Sequence, residues 1–273
     1  MTRIAFQGEP GAFSQQAIFE TFGVTTPTLP CPSFADLFRA VVEGRADLGM
    51  LPIENSTAGS INQSYDLLLE YDVTITREVI LRVRHVLMAR PQVTMEMIRR
   101  VYSHPAALAQ CEKFIAAHGW QAIAAYDTAG AAQQLAASDE RDAAVIASET
   151  AAHIYGLTIL ARDVQDLANN FTRFFVIGKQ PPPRTSNAKT SIVFATRHIP
   201  GALYHCLGEF AARNINLTKL ESRPDRQRPW HYLFYLDFEG HCEDAPCRAA
   251  LEGLRTKTSF LRVLGSYPAA TEH

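Results

Sequence analysis

The chain has 273 residues, of which 47% are hydrophobic and 20% charged, values that are ordinary for a soluble globular enzyme of more than one domain. Its formal net charge of -2 gives no basic surface for DNA or RNA, which argues against nucleic acid as the main partner. Met1–Ala5 has no signal-like apolar core, and no later apolar run would span a bilayer, so we expect a cytoplasmic protein without a membrane partner.

Strand-like and helix-like segments alternate through the first two thirds of the chain. Runs of apolar and β-branched residues predict strands at Ile4–Phe6, Asp47–Ile53, Arg100–Ser103, Ala122–Ala125, Ala143–Ala147 and Phe171–Ile177. Apolar residues at helical spacing predict helices at Ser14–Phe22, Phe34–Glu43, Ala106–His118, Ala129–Ala137 and Glu149–Tyr155. Ser33 and Asp127 are suited to cap two of these helices. The alternation predicts parallel sheets that are covered on both faces.

One segment, Val73–Met88, departs from this rhythm because polar and apolar residues alternate along its whole length. We interpret it as strands that pass from one lobe to another. The predicted plan is an α/β fold with two lobes, one at about 1–76 plus 160–179 and the other at about 77–159. Ligands of open α/β sheets bind beyond the carboxyl ends of strands. Polar turns follow several predicted strands, at Gln7–Ser14, Glu54–Ser60, Ser103–Pro105 and Asp127–Thr128.

The remaining third of the chain reads as a separate module. Consecutive prolines make 180–188 an extended linker. The predicted elements that follow are strand Thr190–Ala195, helix Gly201–Arg213, strand Leu217–Ser222, strand Tyr232–Phe238, helix Ala245–Leu254 and strand Phe260–Gly265. This βαββαβ order suits a ferredoxin-like module at 189–267, with a tail at 268–273.

The cysteines indicate neither a disulfide framework nor a metal site. The five of them are odd in number and scattered along the chain. His241, Cys242 and Cys247 form the one cluster that resembles metal ligands, but a second pair at zinc-like spacing is missing. We therefore expect no bound metal.

The stretch from Asn169 to Phe175 carries the strongest functional signal. Asn, Thr and Arg side chains stand among large aromatics directly before an apolar strand. A buried strand rarely carries such groups unless something polar lies against them, because each must be paired or be desolvated at a cost. The alternative is an edge strand whose polar side chains face water.

Three motifs together resemble the catalytic domain of prephenate dehydratases: Ile4–Ser14, Leu51–Ser60 and Thr172-Arg173-Phe174. The resemblance continues through Tyr102–Pro105. The C-terminal module resembles an ACT regulatory domain, through Pro200-Gly201-Ala202-Leu203 and Glu221-Ser222-Arg223-Pro224. The resemblance implies a catalytic domain at 1–179 with two lobes, like a periplasmic binding protein, followed by the ferredoxin-like ACT domain.

The resemblance also implies an activity. Prephenate would lose its ring carboxylate as CO2 and its ring hydroxyl as water, giving phenylpyruvate on the route to L-phenylalanine. No metal or organic cofactor is needed. L-Phenylalanine would bind the residues at 200–203 and 221–224 as an allosteric effector, and the enzyme would be a homodimer or homotetramer. The alternative is that the module serves for dimerisation alone.

Site residues follow from the matching motifs. The resemblance implies catalytic roles for Glu54, Asn55, Ser103, Gln110, Thr172, Arg173 and Phe174. It implies substrate contacts from Gly11, Ala12, Ser56, Thr57, Asn170 and Phe171. In chemical terms, Arg173 can hold a carboxylate with two hydrogen bonds. Phe171 and Phe174 can supply apolar walls. Thr172, with Asn55 and Ser103, can orient the leaving hydroxyl, and Glu54 is a candidate proton donor provided that it is buried.

Other functions are weighed against this one. Ser103-His104-Pro105 suggests a serine nucleophile, but adjacent side chains on an extended chain point to opposite faces, so we expect His104 to be structural. The amides of the Gly8–Gly11 turn could bind a carboxylate, or the turn could simply join a strand to a helix. Arogenate dehydratase and a non-catalytic solute-binding or sensor protein with two lobes are the rival functions.

Overall fold

The structure, a computed structural model, describes residues 2–225 and 228–270. The chain forms two compact units. The first comprises the chain up to Tyr71 together with Val79–Phe175, and the second comprises Asp72–Glu78 and the chain from Val176 onward. The domain boundaries expected near 179, 188 and 267 stay predictions, and part of the expected tail lies outside the described residues.

The strands of the described chain are, in order, β1 (Ile4–Gln7), β2 (Thr28–Cys31), β3 (Leu48–Asn55), β4 (Gly59–Ser60), β5 (Thr74–Arg82), β6 (Val86–Ala89), β7 (Arg100–Ser103), β8 (Gln121–Ala124), β9 (Ala143–Ala147), β10 (Thr158–Arg162), β11 (Phe171–Gly178), β12 (Ala188–Thr196), β13 (Leu217–Pro224), β14 (Tyr232–Glu239) and β15 (Thr258–Pro268). The helices are α1 (Phe13–Phe22), α2 (Phe34–Val42), α3 (Asn62–Glu70), α4 (Pro105–Gln110), α5 (Glu112–Ala117), α6 (Thr128–Ala137), α7 (Glu149–Tyr155), α8 (Ala202–Ala211) and α9 (Ala245–Lys257).

The predicted elements are present with small shifts at their ends, but the prediction of one helix is wrong. The helix expected at Ala106–His118 is broken at Cys111, whose φ of -121° and ψ of 20° are not helical, and α4 ends before it. Ser33 and Asp127 cap α2 and α6 as expected, each accepting a backbone N–H bond. Strands β2, β4 and β10 and helix α3 were not predicted from the sequence.

Two sheets organise the first unit. One has the strand order β2-β1-β3-β11-β5, with β4 paired to β3, and the other has the order β10-β6-β9-β7-β8. Because β5 belongs to one sheet and β6 to the other, Val73–Met88 carries the chain between two lobes, as predicted. Strand β11 returns beside β3. The start of β11 and the end of β3 therefore meet where the chain passes back between the lobes.

The expectation of purely parallel sheets is wrong. Strand β1 is parallel to β2 and β3, and β7 is parallel to β8 and β9. Strand β6, however, is antiparallel to both β9 and β10. The reason is the direct connection from β5 to β6. Without a helix between them, β6 does not enter its sheet through a right-handed βαβ crossover.

Strand β9 shows how the second lobe is held together. Its five residues are completely buried. Ala143, Val145 and Ala147 pack in one apolar cluster with residues of α6 and α7. Ala144 and Ile146 pack in another cluster with residues of α5. Burial on both faces explains the uninterrupted apolar run in the sequence. The lobe is thus a three-layer sandwich that holds α4 and α5 in fixed positions.

The second unit has the predicted βαββαβ order. Strands β12 to β15 form an antiparallel sheet in the order β13-β14-β12-β15, with α8 and α9 packed on one face around Ile192, Phe194, Leu236 and Phe238. This strand order is that of a ferredoxin-like fold. Among the described residues, no helix is long and apolar enough to cross a membrane.

Candidate active site

Asn55 joins the two strands that meet between the lobes. It is the last residue of β3, and its Nδ2 lies 3.0 Å from Oγ1 of Thr172, the second residue of β11. The same nitrogen lies 2.8 Å from Asn170 Oδ1 and 3.1 Å from the carbonyl oxygen of Phe171. Because the amide nitrogen can only donate, Thr172 Oγ1 is an acceptor in this bond.

The side-chain oxygen of Asn55 also has protein partners. Asn55 Oδ1 accepts hydrogen bonds from Thr57 Oγ1 at 2.6 Å and from the backbone nitrogens of Thr57 and Ala58 at 3.0 Å each. This is an Asx turn, in which the side chain folds the loop that follows β3. With donors on one side and acceptors on the other, the orientation of the Asn55 amide is fixed.

Gln110 brings the second lobe into the same network. It is the last residue of α4, and its Nε2 donates to Thr57 Oγ1 at 2.9 Å. Its Oε1 accepts from Asn170 Nδ2 at 2.9 Å. Asn170 is 1% exposed and Thr172 is 9% exposed, so the bonds that these two residues make are partly shielded from water and stronger, whereas the bond to Thr57 is exposed. The structure therefore assembles Asn55, Thr57, Gln110, Asn170 and Thr172 into one polar cluster.

A cavity of about 470 Å³ opens beside this polar cluster. Its lining combines side chains from both lobes: Thr57, Ala58, Ala106, Ala109, Gln110, Lys113, Gln165, Asp166, Leu167 and Asn170. The volume suits a small organic ligand. Lys113 supplies an ammonium group, and among the described residues its Nζ has no hydrogen-bond or ion-pair partner. The cavity thus offers an apolar wall, several amides and an available cation.

Arg173 and Glu54 lie apart from the polar cluster. Successive residues of a strand point to opposite faces, so Arg173 is directed away from Thr172, and Glu54 away from Asn55. Arg173 Nη1 lies 3.7 Å from Glu54 Oε2, and the guanidinium lies 4.8 Å from the centre of the Phe175 ring. The Arg173 side chain is 14% exposed. Arg173 is therefore paired with protein groups here, and its role as a carboxylate ligand stays a prediction.

Two residues with predicted catalytic roles, Ser103 and Phe174, are interior residues in this structure, and their roles stay predictions. Ser103 is 0% exposed, and its hydroxyl donates to the carbonyl oxygen of Ile146 at 2.6 Å. Phe174 is 1% exposed and belongs to the core. Neither side chain offers a surface to a ligand, because each points inward from a strand that is buried at that position. His104 is structural, as expected: its Nδ1 accepts from the amide of Ala106 at the start of α4.

The turn after β1 joins the lobes, and its amides are already used. The amide of Gly11 donates to Gln15 Oε1 at 2.6 Å, and the amide of Ala12 donates to the carbonyl oxygen of Glu9 at 3.0 Å. The carbonyl oxygen of Gly11 accepts from the hydroxyl of Ser148 at the start of α7. The Gly11 amide thus already has a protein acceptor, and substrate contacts from Gly11 and Ala12 stay predictions.

Ser56 and Phe171 hold the crossing loops together. Ser56 Oγ donates to the carbonyl oxygen of Asn169 at 3.1 Å and accepts from the amide of Phe171 at 2.9 Å. The amide of Ser56 donates to the carbonyl oxygen of Phe171 at 2.9 Å. These bonds clamp the loop after β3 onto the start of β11. Their direct effect is to place Asn55 against Thr172, and a substrate contact from either residue stays a prediction.

His85, which lies next to Gln110, was not among the predicted site residues. His85 is 2% exposed, and its Nε2 lies 2.8 Å from Gln110 Oε1. Burial lowers the pKa of His85 below its ordinary value, against a smaller opposing effect of the Gln110 hydrogen bond. The signal was present in the alternating run Val73–Met88, where a histidine occupies a position that the pattern reserves for apolar residues.

Within residues 2–225 and 228–270, no group of three or more His, Cys, Asp or Glu side chains is placed to hold a metal ion.

The family model described as prephenate dehydratase matches residues 4–182. The chain is 46% identical over 280 residues to arogenate dehydratase/prephenate dehydratase 2, chloroplastic, of Arabidopsis thaliana, and this alignment covers 98% of the chain and 73% of the relative.

Two solved structures are similar over nearly the whole chain. One, described as GqqA, a novel type of quorum-quenching acylase, is 38% identical with a TM-score of 0.92, and 98% of each chain is covered. The other is the prephenate dehydratase of Arthrobacter aurescens in complex with L-Phe, which is 33% identical with a TM-score of 0.89, covering 98% of this chain and 90% of that one. With the family model matching most of its length and a relative 46% identical across 98% of it, this chain belongs to the prephenate dehydratase family of decarboxylating lyases.

Proposed function

We propose that this protein converts prephenate to phenylpyruvate, releasing CO2 and water, in the biosynthesis of L-phenylalanine. The substrate is a dianion whose ring becomes aromatic in the reaction, so aromatisation supplies the driving force. The protein must hold two carboxylates, help hydroxide leave as water, and let one carboxylate become neutral CO2. One proton is consumed, because the leaving hydroxide must be protonated.

The hydrogen bond from Asn55 to Thr172 is the observation that carries this proposal. Thr172 Oγ1 accepts from Asn55 Nδ2, and no described residue accepts the hydrogen of the Thr172 hydroxyl. A hydroxyl that accepts from one neighbour becomes a better donor toward another, because hydrogen bonds in a chain polarise one another. Thr172 is thus suited to donate toward negative charge that develops on the leaving oxygen. A threonine hydroxyl is too weak an acid to transfer its proton outright.

Lys113 is the cation that the cavity offers to a substrate carboxylate. It lies on α5 at the cavity wall, where its ammonium has no protein partner among the described residues. Arg173 would have to leave Glu54 to perform the same task, because its guanidinium lies on the opposite face of β11 from Thr172. A carboxylate bound by Lys113 gains a charge-assisted hydrogen bond.

The remaining wall of the cavity is apolar, with Ala106, Ala109 and Leu167 among its residues. Loss of CO2 removes a negative charge from the reacting carboxylate. A wall that solvates the carboxylate poorly therefore disfavours the ground state more than the transition state. This placement favours decarboxylation of the ring carboxylate while Lys113 holds the side-chain carboxylate.

Arogenate is the second candidate substrate, since the Arabidopsis relative is named for both activities. Arogenate carries an ammonium group where prephenate has a keto group. Asp166 lines the cavity, and its carboxylate could accept hydrogen bonds from that ammonium. Asp166 Oδ2 already accepts from the amide of Lys113 at 3.2 Å, which leaves its other oxygen for a ligand.

Acylase activity, which the description of GqqA attributes to that protein, finds no support at the Ser103–His104 pair. The Ser103 hydroxyl is buried and donates to a backbone carbonyl, and His104 Nδ1 accepts from a helix amide. Neither group is in contact with the other or free to attack an acyl carbon. We therefore do not extend that activity to this chain.

L-Phenylalanine is the proposed effector of the second unit. A cavity of about 500 Å³ there is lined by Thr196–Tyr204, which includes the predicted residues Pro200, Gly201, Ala202 and Leu203. Gly201 is the N-cap of α8 with φ of 74°, so the backbone turns sharply beneath the cavity and exposes helix amides to a carboxylate.

The other predicted effector residues, at 221–224, lie on β13. This strand is at the edge of its sheet, where backbone groups are available to pair with another strand. We propose that two copies pair along β13 and that residues 221–224 of one copy complete the effector site at the Gly201 turn of the other. We therefore propose a homodimer or homotetramer, and the cytoplasmic location stays a prediction.

The test is a direct assay of the purified protein. Prephenate and arogenate are supplied separately, and the absorbance of phenylpyruvate or phenylalanine is followed. Turnover of prephenate supports the proposal, and a kcat/KM for arogenate that exceeds the value for prephenate would reassign the substrate. Absence of turnover with both would reject the dehydratase function.

A further inference from the structure

His85 has one ring nitrogen turned toward the polar cluster, and its other ring nitrogen is buried. Its Nε2 lies 2.8 Å from Gln110 Oε1. Its Nδ1 is buried without a hydrogen-bond partner among the described residues. The ring of Phe13 meets the imidazole edge-on, with centroids 5.3 Å apart and an angle of 85° between the planes. The backbone of the residue is fixed as well, since its amide donates to Gln165 Oε1 at 2.8 Å.

The hydrogen bonds around Gln110 determine which ring nitrogen carries the proton. Gln110 Nε2 donates to Thr57, so the other atom of the amide, Oε1, is the oxygen that faces His85. An oxygen can only accept, and His85 Nε2 must therefore donate. A neutral imidazole that donates from Nε2 leaves Nδ1 without a hydrogen. An Nδ1 lone pair is tolerated in an apolar environment more easily than an N–H would be.

From His85, hydrogen bonds run in one direction to Thr172. His85 Nε2 donates to Gln110 Oε1, and Gln110 Nε2 donates to Thr57 Oγ1. Thr57 Oγ1 donates to Asn55 Oδ1, and Asn55 Nδ2 donates to Thr172 Oγ1. Each amide accepts on one side and donates on the other, so the orientation of each member fixes that of the next. The chain ends at the hydroxyl that the proposed function uses.

We propose that His85 is a positioning residue: its neutral Nε2–H form fixes the Gln110 amide and thereby directs the Thr172 hydroxyl toward the substrate. The inference rests on the proposed dehydratase function for its kinetic consequence. An ordinary core histidine would have partners for both nitrogens, whereas here the nitrogen with a partner is the one that faces the site. His85 is 2% exposed and its Nε2 is bonded to Gln110, so it acts through Gln110 and not on the substrate.

The substitutions His85→Gln and His85→Asn separate this role from packing. A glutamine amide nitrogen reaches the position of Nε2, whereas an asparagine nitrogen reaches only that of Nδ1. We expect His85→Asn to lower kcat about tenfold or more with KM changed less than threefold. We expect His85→Gln to retain at least several times the kcat of His85→Asn. Phe13→Leu is the control, because it removes packing from the ring without altering the Nε2 bond, and it should lower Tm more than kcat.

NMR of the wild-type imidazole provides a second measurement that does not depend on turnover. Long-range ¹H–¹⁵N correlations should show the proton of His85 on Nε2 at neutral pH. A proton on Nδ1, or a positively charged ring, would overturn the proposal even if prephenate is turned over. Equal kcat values for the Gln and Asn variants, both reduced in proportion to Tm, would overturn it as well. A wild-type protein that turns over neither prephenate nor arogenate but shows the Nε2 proton would reject the function and leave the His85–Gln110 geometry supported.

Discussion

Asn55 Nδ2 and Thr172 Oγ1 are 3.0 Å apart although the two residues are separated by 117 positions in the sequence. The contact exists because β11 returns to pair beside β3, after the chain has built the whole second lobe. It places the end of one strand against the start of the other, where the polar side chains of the two strands can contact one another. The pairing of these two strands thus determines whether the site forms.

Lys113→Met should raise KM for prephenate about tenfold with little change in kcat. Loss of a charge-assisted hydrogen bond to a carboxylate costs about 1.5 kcal/mol, which corresponds to that factor. Steady-state kinetics measures both constants. Lys179→Met is a matched control, since Lys179 is an exposed lysine outside the cavity. Equal KM values for the two variants would show that Lys113 does not meet the substrate.

Gly11→Ala should destabilise the protein by about 1–3 kcal/mol, the usual cost of forcing extra volume into a packed site. A Cβ at Gly11 would lie 2.7 Å from Cα of Ala151, which belongs to α7 of the other lobe. Urea denaturation measures the loss. Gly23→Ala is the control, because Gly23 has a similar positive φ of 97° with no atom within 4 Å of the added Cβ. Identical losses for the two variants would mean that backbone strain alone accounts for the effect.

The stability difference between wild type and His85→Gln should depend on pH. Burial lowers the pKa of His85 below its ordinary value of 6.5, so the folded protein resists protonation while the unfolded chain accepts a proton near 6.5. Wild-type stability from this residue is therefore complete above pH 6.5 and is lost as the pH falls through the folded-state pKa. The His85→Gln variant lacks this pH-dependent contribution to stability. Urea titrations at several pH values should show the difference shrinking on acidification, and a difference that grew would reverse the assignment of the neutral form.

Gly201→Val should abolish binding of L-phenylalanine to the second unit. Gly201 has φ of 74°, which a β-branched residue cannot adopt without strain, and its position forms part of the cavity wall. Calorimetry measures binding, and activity titrations measure inhibition. Gly208→Ala, in the same helix with open space around it, should leave both unchanged. If the wild type binds phenylalanine without losing activity, the effector has no coupling to the site.

Much of the fold could be predicted from local patterns. Strand Ala143–Ala147 is an uninterrupted apolar run, and its bounds and those of Arg100–Ser103 were predicted as they stand in the structure. The break at Cys111 was not predicted, because the apolar positions on both sides of it keep helical spacing. The antiparallel placement of β6 could not be read from periodicity either, since strand direction is decided by the path of the connecting chain.

The candidate site was predicted in part. Asn55, Thr57, Gln110, Asn170 and Thr172 were selected through the motifs, and the structure brings their side chains into one cluster. Motif residues such as Ser103 and Phe174 proved to be interior residues, since a motif does not distinguish a side chain that faces the site from its neighbour on the strand. His85 and Lys113 lie outside the motifs, and only the tertiary structure shows their positions.

The most direct test of the central claim is the kcat of Thr172→Ala with prephenate, measured beside Thr172→Ser. Removing one hydrogen bond that forms in the transition state costs on the order of 3 kcal/mol, so kcat should fall about a hundredfold while KM changes little. Thr172→Ser keeps the hydroxyl and should retain most of the turnover. Near-wild-type kcat in a folded Thr172→Ala protein would contradict the account, because the reaction would then not need the Thr172 hydroxyl that Asn55 orients.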